Sequence, residues 1–128
     1  MVYEDRYFEV VPGVDLRYVD VGSGRPMVFV PGYSFSIEVF ERQIAYFSKN
    51  WRCIAVDPRC HGKSTITHTG NTYDAQGADI ARLIEGLGLK DVVLIGWSFG
   101  ALATWAYVEQ KGLDNVAAVI TLDNSPRS

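Results

Sequence analysis

Four short runs of uncharged, mostly apolar residues constrain the fold of this chain more than any other feature. They cover residues 27–30, 53–56, 92–95 and 116–122 and are rich in valine and isoleucine. Continuous apolar runs of this length, without polar alternation, are typical of strands that are buried on both faces. The sequence therefore predicts a parallel sheet that is covered by helices on its two sides.

Three segments that lie between these runs show helical patterns. The apolar residues at helical spacing are Phe40, Ile44 and Phe47 in the first segment and Ile80, Leu83, Ile84 and Leu87 in the second. Gly88 follows the second segment as a stop signal, and the third helix is predicted over residues 98–111 with Gly112 as its C-terminal glycine. Because strands and helices alternate, we predict an α/β domain with right-handed crossovers.

The amino-terminal part of the chain has a different pattern. Residues 7–11 and 14–21 alternate apolar and polar side chains around Pro12 and Gly13, which predicts an antiparallel hairpin ahead of the parallel strands. No repeat, low-complexity tract or polar linker interrupts residues 1–128. We therefore expect one domain.

Charge and hydropathy argue against several classes of partner. The net charge is −3 and the 12 lysines and arginines are scattered, so we expect no binding to nucleic acid or to an anionic membrane. No apolar run approaches the roughly 20 residues that span a bilayer. The first ten residues are acidic, where a secretion signal would be basic and then apolar. We expect a cytoplasmic protein.

The two cysteines give no sign of a disulfide framework or a metal centre. The spacing of Cys53 and Cys60 with His61 and His68 does not fit a zinc site with two paired ligands. We therefore expect two reduced thiols, with Cys53 buried, and neither a metal nor a cofactor.

The stretch Gly96-Trp97-Ser98-Phe99-Gly100 follows a predicted strand and opens a predicted helix. A serine between two glycines in this context indicates a nucleophile elbow, since the turn is so sharp that its neighbours must be small. The Phe99 N–H could then stabilise a developing oxyanion. The alternative interpretation is an ordinary glycine-rich turn in which Ser98 caps the helix.

Two further polar loops follow strands of the predicted sheet. The loop 31–36 can reach the same sheet end as Ser98 and offers the Tyr33 N–H as a second oxyanion donor; Ser34 or Ser36 capping the next helix is compatible with that role. The loop 57–64 contains an acid and a histidine, Asp57 and His61. Because the same loop carries two basic residues, we predict that ion pairs and hydrogen bonds tie it together and that His61 is structural.

Three motifs in this order and spacing, "VPGYSFS", "DPRCHGKS" and "GWSFG", resemble the amino-terminal half of the α/β-hydrolase superfamily. The likeness is strongest to its small esterases and cofactor-free haloperoxidase-like members and extends from the hairpin to "TLDNSP". It implies that Ser98 is the nucleophile and that the backbone N–H groups of Phe99 and Tyr33 form the oxyanion hole.

Two positions depart from the pattern of that superfamily. Pro31-Gly32 stands where His-Gly is usual, and Cys60 replaces a glycine in the Asp-x-Arg-Gly-His-Gly-x-Ser loop. Neither change removes a backbone donor. A positive φ at Cys60 would cost of order 1 kcal/mol or more.

The resemblance also implies that the catalytic acid and histidine follow residue 128. We therefore expect the amino-terminal portion of a single α/β-hydrolase domain, truncated after the sixth strand, with Asp123 as a possible acid within the chain. Such a chain would act on an ester-like small molecule through an acyl-enzyme at Ser98 but be nearly inactive alone. The alternative is a non-catalytic or self-associating binding module, with another chain or a second copy covering the apolar edge of strand 116–122.

Overall fold

The computed structural model describes residues 3–68 and 71–122. Within these ranges the chain forms six strands, three α-helices and a short 3-10 helix. The strands are β1 (Arg6–Val11), β2 (Val14–Val21), β3 (Pro26–Val30), β4 (Arg52–Val56), β5 (Val92–Trp97) and β6 (Val116–Leu122). The α-helices are α1 (Glu41–Phe47), α2 (Tyr73–Gly86) and α3 (Gly100–Lys111), and the 3-10 helix Ile37–Phe40 directly precedes α1.

All six strands belong to one sheet in the order β1-β2-β4-β3-β5-β6. β1 pairs antiparallel with β2, and β2 pairs antiparallel with β4. The remaining neighbours are parallel, and Val28 of the central strand β3 lies opposite Ile54 on one side and Leu94 on the other. The predicted α/β class, with a mainly parallel sheet and an antiparallel hairpin at its amino-terminal end, is confirmed.

The core is divided between the two faces of the sheet, because successive side chains on a strand point in opposite directions. Val28 faces the cluster that α2 and α3 cover, while Phe29 faces the cluster that α1 covers. The side chains that α1 and α2 contribute include Ile44 and Leu83, both fully buried. Burying one such side chain contributes about 1.5 to 3 kcal/mol, so the predicted helix faces account for much of the core.

The exposure of β6 differs from the prediction that all four apolar strands are buried on both faces. Val116 is buried, but Ala117, Ala118, Ile120 and Thr121 are exposed. The physical reason is position, since β6 is the outermost strand beyond β5. β6 is a strand as predicted, and within the described residues its outer edge pairs with no other strand.

The predicted helix ends are close to those observed. Gly112 follows α3 with a φ of +73°, and Gly88 follows α2 with a φ of +66°, so both glycines have the positive φ that favours glycine after a helix. The start of α3 differs, because the helix begins at Gly100 and not at Ser98. Ser98 and Phe99 thus form the turn that connects β5 to α3.

Candidate active site

Ser98 occupies a strained turn at the carboxyl end of β5. Its φ of +56° lies in the left-handed region, which a non-glycine residue adopts at a cost of roughly 1 kcal/mol or more. The turn is held by two backbone bonds, from the Ser98 N–H to the Leu122 carbonyl at 2.8 Å and from the Ala101 N–H to the Ser98 carbonyl at 3.0 Å. The half-buried serine side chain does not cap α3, whose N-cap residue is Phe99. The capping interpretation of Ser98 is therefore wrong.

Both glycines of the elbow are required by close contacts. A Cβ atom on Gly96 would lie 2.7 Å from the Ala101 Cα, so the strand and the first turn of α3 approach through backbone. A Cβ atom on Gly100 would collide with the carbonyl oxygens of Val30 and Pro31. The turn is thus pressed against the end of the neighbouring strand β3, where the loop 31–36 begins.

The loop 31–36 lies directly against the elbow. A Cβ atom on Gly32 would lie 2.9 Å from the Trp97 carbonyl oxygen, 3.2 Å from the Ser98 Cβ and 3.4 Å from the Phe99 nitrogen. The loop forms a turn in which the Phe35 N–H donates to the Gly32 carbonyl at 3.1 Å. The Phe35 ring packs on the Trp97 ring with 4.7 Å between centroids. Ser98 and the predicted donors of Tyr33 and Phe99 therefore belong to adjoining segments.

The polar groups at this junction are available for a ligand. Within residues 3–68 and 71–122, the N–H groups of Tyr33 and Phe99 donate to no backbone acceptor. The hydroxyl of Ser98 likewise forms no hydrogen bond with the described part of the chain. The Tyr33 and Phe99 residues are 66% and 55% exposed. A serine hydroxyl beside N–H groups that donate to no described backbone acceptor is an arrangement compatible with acyl transfer.

The structure shows no pairing of Asp57 with His61 that would resemble a catalytic dyad. The buried Asp57 carboxylate accepts from the N–H groups of Ile37 at 2.8 Å and Lys63 at 3.0 Å and from the Arg17 guanidinium at 3.0 Å. The His61 Nδ1 lies 3.0 Å from the Arg59 carbonyl oxygen. These contacts favour the structural interpretation of His61.

The predicted hydrogen bonds within the loop 57–64 are present, since the Lys63 N–H and the Ser64 hydroxyl both donate to Asp57. The ion pairs differ from the prediction, because they join the loop to other elements. Arg59 binds Asp79 of α2 with two hydrogen bonds of 2.7 and 2.8 Å, and both residues are buried. Hydrogen bonding to Asp79 raises the pKa of Arg59. Asp57 pairs with Arg17 of β2. The ion pairs therefore tie the loop to the surrounding elements, where the buried Asp57 carboxylate and the buried Arg59 guanidinium each have the charged partner that burial requires.

Cys60 adopts the strained conformation anticipated from the missing glycine, with a φ of +68°. Its sulfur accepts a hydrogen bond of 3.2 Å from the Thr67 N–H. The other cysteine, Cys53, is a free thiol buried in the core, and burial raises its pKa to about 11. Its protonated, inaccessible sulfur is unreactive at neutral pH.

An open cavity of about 470 Å³ lies beside the loop 31–36, here called the Tyr33 loop. Its lining mixes aromatic and polar side chains and includes Tyr33, His61, Asn71, Tyr73 and Gln76. A cavity of this size can accept a small organic molecule. A ligand bound in this cavity would lie against the loop that carries the predicted oxyanion donor, Tyr33.

Residues 3–68 and 71–122 show neither a metal centre nor a membrane-spanning helix. No three histidine, cysteine, aspartate or glutamate side chains there are grouped so that they could hold a metal ion. No helix in those ranges combines the length and the apolarity that crossing a membrane requires. Asp123, the possible acid, lies outside the described residues.

The pairing of Arg17 with Glu38, which follows the loop 31–36, was not predicted from the sequence. Arg17 is a buried cation between Leu16 and Tyr18 of β2, and its Nη2 lies 2.6 Å from a carboxylate oxygen of Glu38. Strand alternation places Arg17 on the face opposite its apolar neighbours, which was the one available hint.

Comparison with known proteins identifies the family. The family model described as "alpha/beta hydrolase fold" matches residues 25–128. A non-heme haloperoxidase from Rhodococcus erythropolis is 35% identical over 115 residues, which are 89% of this chain and 42% of that protein.

Two solved structures share the fold. An esterase from Exiguobacterium antarcticum superposes with a TM-score of 0.88 at 32% identity, covering 92% of this chain and 44% of the esterase. A bromoperoxidase from Bacillus anthracis has the same TM-score and coverage at 28% identity. This chain thus spans less than half the length of the relatives that it matches. It belongs to the α/β-hydrolase fold family, among relatives that include esterases and non-heme haloperoxidases.

Proposed function

We propose that this chain carries the nucleophile and the oxyanion donors of a serine hydrolase that acts on an ester or a related acyl compound. One observation supports the proposal above all others. The Ser98 hydroxyl, which bonds to none of the described residues, stands in a strained turn against which Gly32 and the Tyr33 loop are packed. The name of one relative, an esterase, agrees with acyl chemistry at such a turn.

The proposed reaction begins with attack of the Ser98 Oγ on the substrate carbonyl carbon. The hydroxyl proton passes to a general base, and the carbonyl oxygen becomes an oxyanion that accepts from the Phe99 and Tyr33 N–H groups. Collapse breaks the bond to the alcohol, which leaves with the proton, and water then cleaves the acyl-serine ester. Removing one oxyanion donor in a well-studied protease costs about 2.7 to 4 kcal/mol of barrier, which indicates the scale of this contribution.

The general base is proposed to come from polypeptide outside these 128 residues. The chain has two histidines. His61 holds the Arg59 carbonyl through its Nδ1, and His68 is exposed after the loop 57–64. Loss of one triad member costs around 10⁴ to 10⁶ in turnover, so we expect this chain alone to be a very poor catalyst.

A fluorophosphonate probe tests the proposal, because it phosphonylates activated serines. We expect slow labelling of the 128-residue chain, mapped by peptide mass spectrometry to Ser98 and lost in Ser98→Ala. Ser23→Ala, at an exposed serine between β2 and β3, is the matched control and should label like the wild type. Labelling that persists in Ser98→Ala, or that maps to another residue, contradicts the proposal.

The exposed apolar edge of β6 supports a second candidate, a self-associating binding module. β6 contains no charged residue and no proline, the two devices that commonly protect an edge strand. Light scattering tests this candidate. A stable dimer that Ala118→Lys dissociates favours it, whereas a monomer at all concentrations excludes self-association through this edge.

A further inference from the structure

A buried arginine on β2 binds the segment that ends the Tyr33 loop. Arg17 is 3% exposed, and its guanidinium contacts three carboxylates. Its Nε lies 2.8 Å from Asp5, its Nη1 lies 3.0 Å from Asp57, and its two terminal nitrogens bind both oxygens of Glu38 at 3.1 and 2.6 Å. Planar two-point pairing of this kind fixes direction as well as distance.

Two of these carboxylates hold residues 36–38, at the carboxyl end of the loop 31–36. The Ser36 hydroxyl donates to a Glu38 oxygen at 2.6 Å, and the Ile37 N–H donates to Asp57 at 2.8 Å. The loop is therefore fixed at both ends. Gly32 is packed against Ser98 at one end, and the group Arg17, Glu38 and Asp57, here called the Arg17 clamp, holds the other.

The two carboxylates of the clamp differ in burial. The Asp57 side chain is fully buried, with its oxygens occupied by two N–H groups and Arg17, so it serves the fold as a whole. The Glu38 side chain is 44% exposed, so its pairing with Arg17 adds little to global stability. Hydrogen bonds from Arg17 lower the pKa of Glu38 to about 2, which keeps the pair charged at neutral pH.

We propose that Glu38 is a positioning residue, which through Arg17 holds the Tyr33 N–H where an oxyanion at Ser98 can accept from it. This inference rests on the proposed function. Oxyanion donors act within a narrow distance, about 2.7 to 3.1 Å from the developing charge, so small displacements of the loop weaken them. The hydrogen bonds of the Glu38 carboxylate go to Arg17 and Ser36, so in this role it acts through the position of the loop.

The test compares Glu38→Gln with Asp20→Asn. Glutamine keeps the shape of Glu38 and an acceptor for Ser36 but loses the charge that pairs with Arg17. Asp20 binds Arg52 with two hydrogen bonds of 3.0 and 2.7 Å between β2 and β4, at the amino-terminal end of β4 and away from the site. The control therefore removes another two-point arginine–carboxylate pair that involves β2, but one that does not contact the residues following the loop.

Two measurements are made on each variant. Amide NMR reports the chemical shift of Tyr33 and the hydrogen exchange of the Phe35 N–H, which is bonded to Gly32 inside the loop. The fluorophosphonate rate at Ser98 reports the chemistry. We expect Glu38→Gln to shift the Tyr33 amide, speed Phe35 exchange and slow phosphonylation about fivefold to tenfold, as for a misplaced donor. Asp20→Asn should change none of these.

The outcomes separate this inference from the proposed function. If Ser98 reacts in the wild type but Glu38→Gln leaves the loop amides or the rate unchanged, the positioning role is overturned and the proposed function stands. If the wild-type Ser98 is inert, the proposed function fails and the role in oxyanion stabilisation fails with it, although altered amides would still show that the clamp holds the loop. A slowed rate with displaced amides supports both.

Discussion

Gly32 lies so close to Ser98 that a Cβ atom added to Gly32 would be 3.2 Å from the Ser98 Cβ. This contact joins the loop after β3 to the turn after β5. It brings residues that are 66 positions apart in the sequence together at one end of the sheet. The absent side chain of residue 32 leaves the space beside the serine open to a ligand.

Gly32→Ala tests this contact. The new methyl group would also meet the Trp97 carbonyl oxygen at 2.9 Å, so we expect overpacking to cost about 1 to 3 kcal/mol and to displace the loop. Phosphonylation of Ser98 should slow in parallel. Gly88→Ala is the control, since its Cβ would meet no atom within 4 Å and its φ of +66° alone should cost about 1 kcal/mol. Equal labelling rates in the two variants would contradict this account of Gly32.

Ser98→Gly should stabilise the protein while removing its nucleophile. Glycine adopts the φ of +56° without steric cost, but its unfolded state has more conformational entropy, which offsets part of the gain. We therefore expect the free energy of unfolding to rise by about 0.5 to 1 kcal/mol. Ser98→Ala keeps the Cβ atom and should show no such gain. Urea denaturation measures both variants, and an equal change in the two would show that the turn is not strained at this residue.

Asp79→Asn should destabilise the protein strongly. It removes the charge that pairs with the buried Arg59 at 2.7 Å, and breaking a buried pair by removing one partner costs about 3 to 5 kcal/mol. Glu85→Gln is the matched control on the same helix, because its pair with Lys111 is exposed and worth less than about 1 kcal/mol. Thermal and urea denaturation compare the variants. Similar losses in both would mean that burial of the Arg59 pair does not matter.

The Arg17 clamp predicts an acid-dependent loss of stability. Hydrogen bonding to Arg17 holds the pKa of Glu38 at about 2, below its ordinary value of 4.5, so its contribution is complete above pH 4.5 and is lost as pH falls through 2. Hydrogen bonds from Lys63 and Arg17 lower the pKa of Asp5 as well. Its contribution to the free energy of unfolding is therefore also lost at acid pH.

Comparing the wild type with Glu38→Gln isolates the glutamate. We expect the difference in their free energy of unfolding to be constant from pH 7 to about 5 and to shrink as the pH falls from 4.5 towards 2. The difference is small in absolute terms, because Glu38 is 44% exposed to solvent. A difference that stays constant down to pH 2 would show that Glu38 is not held by Arg17.

The elements of the fold could be predicted because their signals are local. The run 116–122 is a strand with those bounds, and Gly112 ends α3 as its conformational freedom suggests. The three loops that follow β3, β4 and β5 lie at one end of the sheet, as expected for parallel strands. Exposure of β6 could not be read from composition, since an apolar strand looks the same at an edge and in the centre.

The ion pairs around the site could not be predicted because they join distant segments. Arg17 is 21 residues from Glu38 and 40 from Asp57, and the sequence alone does not show which carboxylate each arginine takes. Asp57 and Arg59 are neighbours in one short loop, but Asp57 pairs with Arg17 of β2 and Arg59 pairs with Asp79 of α2. Charge pairing is set by the packing of elements, which local patterns do not encode.

A crystal structure of the chain after phosphonylation tests the central claim most directly. The account predicts a covalent bond from the Ser98 Oγ to phosphorus, with the phosphonyl oxygen about 2.7 to 3.1 Å from the backbone nitrogens of both Phe99 and Tyr33. A phosphonyl group on another residue, or an oxygen at Ser98 that points away from both nitrogens, would contradict it.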